Sequence, residues 1–279
     1  MSLPVLIVVG LVLNAAAALI VLWRGSLDPG GAAAGVVVGT LIFACGGPLF
    51  WIVLMAFFVS STAMGYAGRR EKEALKKIHQ KGGRRDMFQV LANGGVGALC
   101  ALLYKLTSES AWAIGFAVSF ASSNADTWAS ELGVLSKGQP VSLSTFRPVT
   151  RGVSGGVSVL GSSMALAGAL LIAVVFGLEN FSLKVVPGGF LRLAGFVAAG
   201  GLVGSLLDSF LGATIQAQYV VQEAGQPPTS APALTERKTA PDGSPNKLVR
   251  GLSFINNDLV NFASCALVTV LGVLLAPLA

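Results

Sequence analysis

Charged side chains are scarce in this sequence: Asp, Glu, Lys and Arg make up only 11% of its 279 residues, whereas a soluble domain has about a quarter. Apolar runs of roughly 17–25 residues, the length that crosses a bilayer, recur from end to end. A β-barrel would show short alternating segments instead. The sequence therefore excludes a soluble globular domain and predicts an all-α, polytopic membrane protein.

Histidine and cysteine are also rare. His79 is the one histidine and lies in a basic segment, which argues against a histidine-based zinc site or proton relay. Three cysteines, Cys45, Cys100 and Cys265, lie in apolar runs without C-x-x-C spacing, and we interpret them as small buried apolar residues. The chain has no internal repeat of the kind that indicates an inverted-repeat transporter.

We predict about eight spans in a single transmembrane domain that covers residues 1–279. The apolar N-terminus is long and lacks both a basic leader and a small-residue cleavage site, so it is interpreted as the first span. Only Cys45-Gly46-Gly47-Pro48 separates the second span from the third, which predicts a tight helical hairpin. The predicted spans are residues 2–23, 30–45, 47–64, 88–104, 110–128, 153–178, 189–216 and 251–277.

Basic residues concentrate between alternate spans. Arg24 and the segments 65–87, 129–152 and 217–250 together hold 16 of the 19 Lys and Arg residues. With eight spans all of them lie on one side, which the positive-inside rule makes cytoplasmic, with both termini outside. The net charge of +6 then reflects topology, anionic lipid or a phosphorylated substrate and requires no nucleic-acid partner. Segment 65–87 is a basic cytoplasmic loop, and the Pro- and Ser-rich segment 217–250 is predicted to be a mobile one.

Three aspartates lie near the cytoplasmic ends of predicted spans, in the stretches SSNADTWASELG, GSLLDSFLGATIQ and INND. An ionisable residue at membrane depth indicates function. Magnesium takes oxygen ligands, commonly one or two carboxylates together with substrate phosphates. We therefore predict that Asp126, Asp208 and Asp258 bind Mg²⁺, with Asn257 or Asn124 beside them. The alternative is that each aspartate caps a helix or pairs with an arginine.

The stretch TFRPVTRGVSGGVSVLGSS, residues 145–163, is typical of an anion site. Its two arginines precede a glycine-rich run, and the run precedes a predicted span. Backbone N–H groups of glycines and helix N-termini attract anions, and arginine binds phosphate through two hydrogen bonds. The predicted phosphate contacts are Arg147, Arg151, Gly152, Ser154, Gly155 and Gly156. Close packing of helices is the alternative role for the glycines.

A second basic and glycine-containing stretch, KGGRRD, covers residues 81–86. We predict that Lys81, Arg84 and Arg85 bind the phosphate of an acceptor. The alternative is a basic flank that binds lipid headgroups. Asn93 lies on the helix that follows and is a further candidate for substrate binding.

Carboxylates that face arginines and glycine-rich turns indicate magnesium-dependent phosphoryl transfer to a lipid. Catalysis of this kind depends mainly on positioning and on charge neutralisation. An acceptor that is itself a phosphate is already ionised, so no strong general base is required. We assign Asp126, Asp208 and Arg151 as the catalytic residues and Glu131 as a substrate-binding residue.

Five ordered motifs, GGRRDMFQVLANGG, SSNADTWASELG, TFRPVTRGVSGGVS, GSLLDSFLGATIQ and INNDLVN, cover nearly the whole chain. Together they resemble one integral-membrane family, which contains the chloroplast phytyl-phosphate kinase of vitamin E synthesis and the animal transmembrane protein 19. More distantly, the D-x-x-A-x-x-x-G pattern of Asp126, Ala129 and Gly133 is similar to phosphatidate cytidylyltransferase. Phytol and dolichol kinases share the expected helical architecture.

The resemblance implies conversion of a prenyl monophosphate, such as phytyl or geranylgeranyl phosphate, to the diphosphate, with Mg²⁺ and with CTP or another nucleoside triphosphate as co-substrate. It also implies a plastid-type membrane or the plasma membrane of a prokaryote. Cytidylyl transfer to a lipid phosphate is one alternative, and transport or flipping of a phosphorylated lipid is another. The oligomeric state stays open, with a homodimer as one candidate. The positions that match the family motifs are Asp126, Glu131, Arg147, Arg151, Ser154, Asp208 and Asp258.

Overall fold

The structure is a computed structural model and describes residues 1–68, 84–220, 234–240 and 242–279. Seven α-helices lie in these ranges, and a 3₁₀ turn at Ala276–Leu278 follows the last of them. Six of the seven are long and apolar enough to cross a membrane, which agrees with the predicted helical membrane protein. The helices are α1 Leu3–Trp23, α2 Pro29–Tyr66, α3 Met87–Thr107, α4 Ser110–Gly133, α5 Val159–Leu183, α6 Phe190–Thr214 and α7 Asn257–Leu274.

Four helices begin at a polar capping side chain. These residues are Asp28 for α2, Asp86 for α3, Ser158 for α5 and Asn256 for α7, and each accepts a hydrogen bond from the backbone N–H three residues later. Such a cap satisfies a backbone donor that has no partner within the helix. At α3 the bond is reciprocal, because Gln89 also accepts from the backbone N–H of Asp86 at 3.1 Å, which completes a capping box.

Helix α2 is folded back on itself. A straight helix of 38 residues would extend about 57 Å. However, the hydroxyl of Ser26, just before α2, lies 3.1 Å from the hydroxyl of Tyr66, its last residue. The reversal occurs at Gly47, whose φ of 68° and ψ of −162° are not helical and are accessible chiefly to glycine. The predicted hairpin is therefore confirmed, with Gly47 as its turn.

Helix α4 lies at the centre of the bundle. Every residue from Ala113 to Ala125 is buried, and the helix packs against α2, α3, α5, α6 and α7. Glycines on neighbouring helices allow this close approach: a Cβ added at Gly168 would lie 3.0 Å from the carbonyl oxygen of Asn124. Because other helices surround it, α4 tolerates serines and an aspartate that would be costly against lipid. It is the one helix of the seven that is not among the six apolar candidate spans.

Five short strands accompany the helices in the described ranges. They are β1 Val141–Ser142, β2 Gly156–Val157, β3 Gln218–Val220, β4 Leu234–Thr235 and β5 Lys247–Arg250. A two-stranded antiparallel sheet pairs β1 with β2, and a second sheet has the order β4-β3-β5. The second sheet comes from the segment 217–250, of which residues 221–233 and 241 lie outside the described residues, and its mobility stays a prediction.

All eight predicted spans coincide with helical segments, two of them within α2. Two helices begin later than predicted: α5 at Val159 rather than 153, and α7 at Asn257 rather than 251. The residues before α5 form a turn and β2 because Gly152 and Gly155 adopt φ values of 82° and 83°. Such values are left-handed and interrupt a helix. The glycine-rich run is therefore a structured loop beside the bundle, not the first turn of a span.

Candidate active site

A cavity of about 630 Å³ gathers most of the predicted site residues. It lies among the helices at the end of the bundle where α4 and α6 finish and α3, α5 and α7 begin. Residues that are far apart in the sequence meet in this cavity, as is required if the three predicted aspartates lie at one depth in the membrane. The predicted residues that line it are Arg84, Arg85, Asn93, Asp126, Glu131, Arg151, Gly152, Ser154, Gly155, Gly156, Asp208, Asn257 and Asp258.

Asp126 on α4 and Asp208 on α6 form the acidic centre of the cavity. Together with Asn261 and Ser264, these two side chains also line one small pocket, which brings the carboxyl groups close to each other. Ser264 on α7 donates to Asp208 Oδ2 at 2.9 Å. With its amide oriented so that the nitrogen faces acceptors, Asn261 donates to the same oxygen at 3.0 Å. Two adjacent carboxylates require a shared proton or a cation, so this pair is suited to bind a cation.

The chemistry of this pair fits magnesium, although the three predicted aspartates do not form one cluster. In the described parts of the chain, no group of three or more His, Cys, Asp or Glu residues could hold a metal ion. Asp258 is buried in the first turn of α7 and lines the same cavity. Since Mg²⁺ commonly takes only one or two protein carboxylates, a magnesium site at Asp126 and Asp208 would not require Asp258. A ligand role stays a prediction for all three aspartates.

The glycine-rich turn, Gly152–Gly156, packs closely against the end of α6. A Cβ added at Gly155 would overlap the Cβ and the backbone nitrogen of Ala213, so this glycine is required for packing as well as for its positive φ. Ser154 beside it accepts a hydrogen bond from Gln216 Nε2 at 3.0 Å. The glycines of this turn therefore serve close packing, which was the alternative role considered for them from the sequence. The turn also lines the cavity.

The structure adds Glu236, which the sequence analysis did not single out. Glu236 is buried and lines the cavity, accepting hydrogen bonds from the Ser154 hydroxyl and, at 2.9 Å, from Gln216 Nε2. It follows strand β4, which pairs with β3 after the end of α6. Its segment is rich in Pro, Ser and Thr, and no spacing or periodicity in it distinguishes a site residue from a solvated one.

Arginines form the basic side of the cavity. The backbone of Arg85 pairs with the residues before α2, donating to Ser26 O at 3.1 Å and accepting from Asp28 N at 3.0 Å. Burial lowers the pKa of the Arg85 guanidinium, and the nearby Glu131 carboxylate opposes that shift. Arg151 donates to Lys137 O at 2.5 Å. Lys81, the third predicted acceptor-binding residue, lies outside the described residues.

Two other predicted site residues lie away from the cavity. Asn124 is wholly buried; its side chain accepts from Ser60 and Ser61 at 3.0 and 3.1 Å and donates to Gly168 O at 2.8 Å. These bonds join α4 to α2 and α5, so the structure gives Asn124 a helix-packing position rather than a substrate contact. Arg147 is exposed in the segment between β1 and β2, and it does not line the cavity.

Comparison with known proteins identifies the family. A model described as integral membrane protein DUF92 matches residues 12–269. The chain belongs to the DUF92 family. This DUF92 protein is 32% identical over 274 residues to protein PGR of Arabidopsis thaliana, which covers 89% of the chain and 88% of that relative. No solved structure matches it.

Two further relatives show how widely DUF92 proteins occur. Membrane protein MJ0933 of Methanocaldococcus jannaschii is 31% identical over 196 residues, covering 70% of this chain and 77% of the relative. The chloroplastic protein VTE6 of Arabidopsis thaliana is 24% identical over 254 residues, covering 89% of this chain and 65% of the relative. The expected family of integral membrane proteins, with plastid and prokaryotic members, is thus confirmed.

Proposed function

We propose that this DUF92 protein is a magnesium- and nucleotide-dependent prenyl-phosphate kinase. It would transfer the γ-phosphoryl group of CTP or another nucleoside triphosphate to a prenyl monophosphate, such as phytyl or geranylgeranyl phosphate, to give the diphosphate. The observation that carries the proposal is a single cavity in which the Asp126–Asp208 pair, three arginines and apolar helix walls are continuous. The five-motif resemblance to the phytyl-phosphate kinase family supports the same reaction.

The charges around the cavity suit two phosphate groups. Arg84 and Arg85 would hold the acceptor phosphate, and Arg151 with the glycine-rich turn would hold the triphosphate, since arginine binds phosphate oxygens in pairs. Helices α5 and α7 begin at the cavity with neutral caps, Ser158 and Asn256. Their N-termini add partial positive charge that favours anions.

In the proposed reaction an oxygen of the acceptor phosphate attacks the γ-phosphorus, and the bond between that phosphorus and the β–γ bridging oxygen breaks. The nucleoside diphosphate leaves with the bond's electron pair. The attacking oxygen is already ionised, so the protein's residues align the two phosphates and neutralise their charge rather than remove a proton. Magnesium, when bound by Asp126 and Asp208, would supply part of that neutralisation.

The test is an assay on detergent-purified protein with Mg²⁺, phytyl or geranylgeranyl phosphate, and CTP or ATP labelled at the α or the γ position. A kinase puts γ-label into the lipid diphosphate, and the active nucleotide identifies the donor. Transfer of α-label to the lipid would replace the proposal with cytidylyl transfer. If neither label reaches any of several prenyl phosphates or phosphatidic acid, lipid transport becomes the better explanation. The Asp208→Asn protein, purified in parallel, controls for a contaminating kinase.

A further inference from the structure

The cavity continues beyond its charged part, between α1 and the two halves of α2. On α1 its lining extends from Val21 to Asn14, which is about 10 Å of helix at 1.5 Å per residue. The walls of this part are small or apolar, and we call it the apolar arm. Its lining includes Ala18, Val21, Gly35, Val38, Leu54 and Phe58.

The apolar arm begins at the arginines. The guanidinium of Arg84 lies beside Gly25, where an added Cβ would be 3.3 Å from Arg84 Nε. Ser26 and Tyr66, whose hydroxyls are 3.1 Å apart, line the cavity at the same level. A molecule in the arm would thus have its polar end among the arginines and its apolar end between helices.

The lining of the apolar arm ends at Asn14, and we call Asn14 together with Trp51 and Phe43, which lie behind it, the floor. Trp51 Nε1 donates to Asn14 Oδ1 at 3.2 Å, and Asn14 Nδ2 donates to Gly10 O at 2.7 Å. The rings of Phe43 and Trp51 meet edge to face with centroids 6.2 Å apart. One turn beyond Asn14, α1 is in contact with α2, because a Cβ added at Gly10 would lie 3.1 Å from Phe43 Cβ.

We propose that the apolar arm holds the hydrocarbon tail of the lipid phosphate and that the floor sets the longest tail that binds. The proposal rests on the proposed function, since it takes a lipid monophosphate as the occupant. Burial of the tail against the arm favours binding in proportion to the apolar area removed from water. A tail that extends past Asn14 must break the bond to Trp51 and displace its indole from Phe43.

Gly35 offers a direct way to shorten the arm. It lines the cavity, and a Cβ added there meets nothing closer than Leu27 Cδ1 at 4.0 Å, so a leucine at this position would project into the arm without a backbone clash. We expect Gly35→Leu to lower kcat/KM about tenfold or more for geranylgeranyl and phytyl phosphate, and to change it little for geranyl phosphate. Gly195→Leu is the matched control, because Gly195 is an exposed residue of α6 with no atom within 4 Å of an added Cβ.

Trp51→Ala tests the floor from the other side. Removal of the indole should deepen the arm and raise kcat/KM for prenyl phosphates longer than the best wild-type substrate, relative to geranyl phosphate. An unchanged length profile in both Gly35→Leu and Trp51→Ala would overturn the tail site. If Trp51→Ala does not fold, Gly35→Leu decides the question alone.

A binding measurement separates this inference from the kinase proposal. Thermal unfolding of the protein in detergent would be followed with geranyl, farnesyl, geranylgeranyl and phytyl monophosphates in the absence of nucleotide. The tail site is supported if the melting temperature of the wild type rises with the length of the tail and if this rise stops at a shorter tail in Gly35→Leu. This result would support the tail site even if no phosphoryl transfer occurs. Turnover with a length profile that Gly35→Leu leaves unaltered would uphold the kinase and reject the tail site. Neither turnover nor stabilisation by any prenyl phosphate would reject both.

Discussion

At the scale of single residues, the Asp126–Asp208 pair gives the sharpest prediction. Asp126→Asn and Asp208→Asn keep the shape of each side chain but remove one of the two charges that suit a cation. We expect each variant to lower kcat for lipid phosphorylation by about 100-fold or more, as loss of a preorganised electrostatic contact does. The measurement is a rate assay at saturating Mg²⁺ with γ-labelled nucleotide.

Glu109→Gln is the matched control for these substitutions. Glu109 is an exposed carboxylate at the start of α4, about 25 Å along the helix from Asp126 at 1.5 Å per residue. Its amide variant should retain wild-type activity. Near wild-type rates in both aspartate variants, with the protein folded, would show that the pair is not the reaction centre.

Asn124 is expected to affect stability and not substrate affinity. Asn124→Ala leaves the buried Ser61 hydroxyl without its acceptor and removes the bond to α5. The unfolding free energy should fall by about 1–3 kcal/mol, while the KM for the lipid phosphate stays unchanged. Ser163→Ala, which removes only an exposed hydroxyl bonded within its own helix, should change stability by less than about 0.5 kcal/mol. A raised KM at unchanged stability in Asn124→Ala would restore the substrate-binding role.

Residue type and position along the chain predicted that Asp126, Asp208 and Arg151 approach one site, because an acid at membrane depth indicates function and an arginine before a glycine-rich run is typical of an anion site. Residue type and position could not show that Asn124 and Asp126, which are two residues apart, have different roles. On α4 these side chains point in different directions, one between helices and one into the cavity. That distinction depends on which neighbours surround the helix, and hydropathy carries no such information.

At the scale of elements, the turn within α2 is the most informative. Gly47 adopts a backbone conformation that side chains disfavour, and an added Cβ meets no atom within 4 Å. Gly47→Ala should therefore lower the unfolding free energy by about 1–3 kcal/mol through backbone strain alone. Gly195→Ala, in an exposed helical position, should raise it by about 0.5–1 kcal/mol. Equal effects in a denaturation experiment in detergent would contradict the assignment of the hairpin turn to Gly47.

Helices were predictable because apolar runs and their breakers are local signals. The hairpin followed from Gly46-Gly47-Pro48, and the start of α3 coincides with the capping residue Asp86. The late start of α5 was not predictable, since residues 153–158, VSGGVS, carry no charge and no proline and lead directly into the apolar run of the span. Their conformation depends on the fit of Gly155 against Ala213 and on the pairing of β2 with β1, which are contacts distant in sequence.

At the scale of the whole molecule, the distribution of charge predicts orientation. Arg24, Arg84, Arg85 and Arg151 lie at the end of the bundle that holds the cavity, whereas Lys105, Lys184 and Arg192 lie near helix ends at the other. We therefore predict from the positive-inside rule that the cavity end lies in the cytoplasm, where nucleotides are available. Eight crossings would then place both termini outside.

Cysteine labelling tests this orientation. In a background in which Cys45, Cys100 and Cys265 are replaced by alanine, Ser2→Cys, Leu278→Cys and Thr145→Cys put single thiols at exposed positions. Five helical segments, counting the two halves of α2, separate Ser2 from Thr145, so these two thiols must lie on opposite sides. We expect a membrane-impermeant maleimide to label Ser2→Cys and Leu278→Cys in intact cells, and Thr145→Cys only after permeabilisation.

The reverse labelling pattern would mean that the molecule has the opposite orientation. The cavity would then face the outside, where a nucleotide-dependent kinase would lack its co-substrate. Labelling of Ser2→Cys and Thr145→Cys from the same side would contradict the hairpin and the eight crossings together.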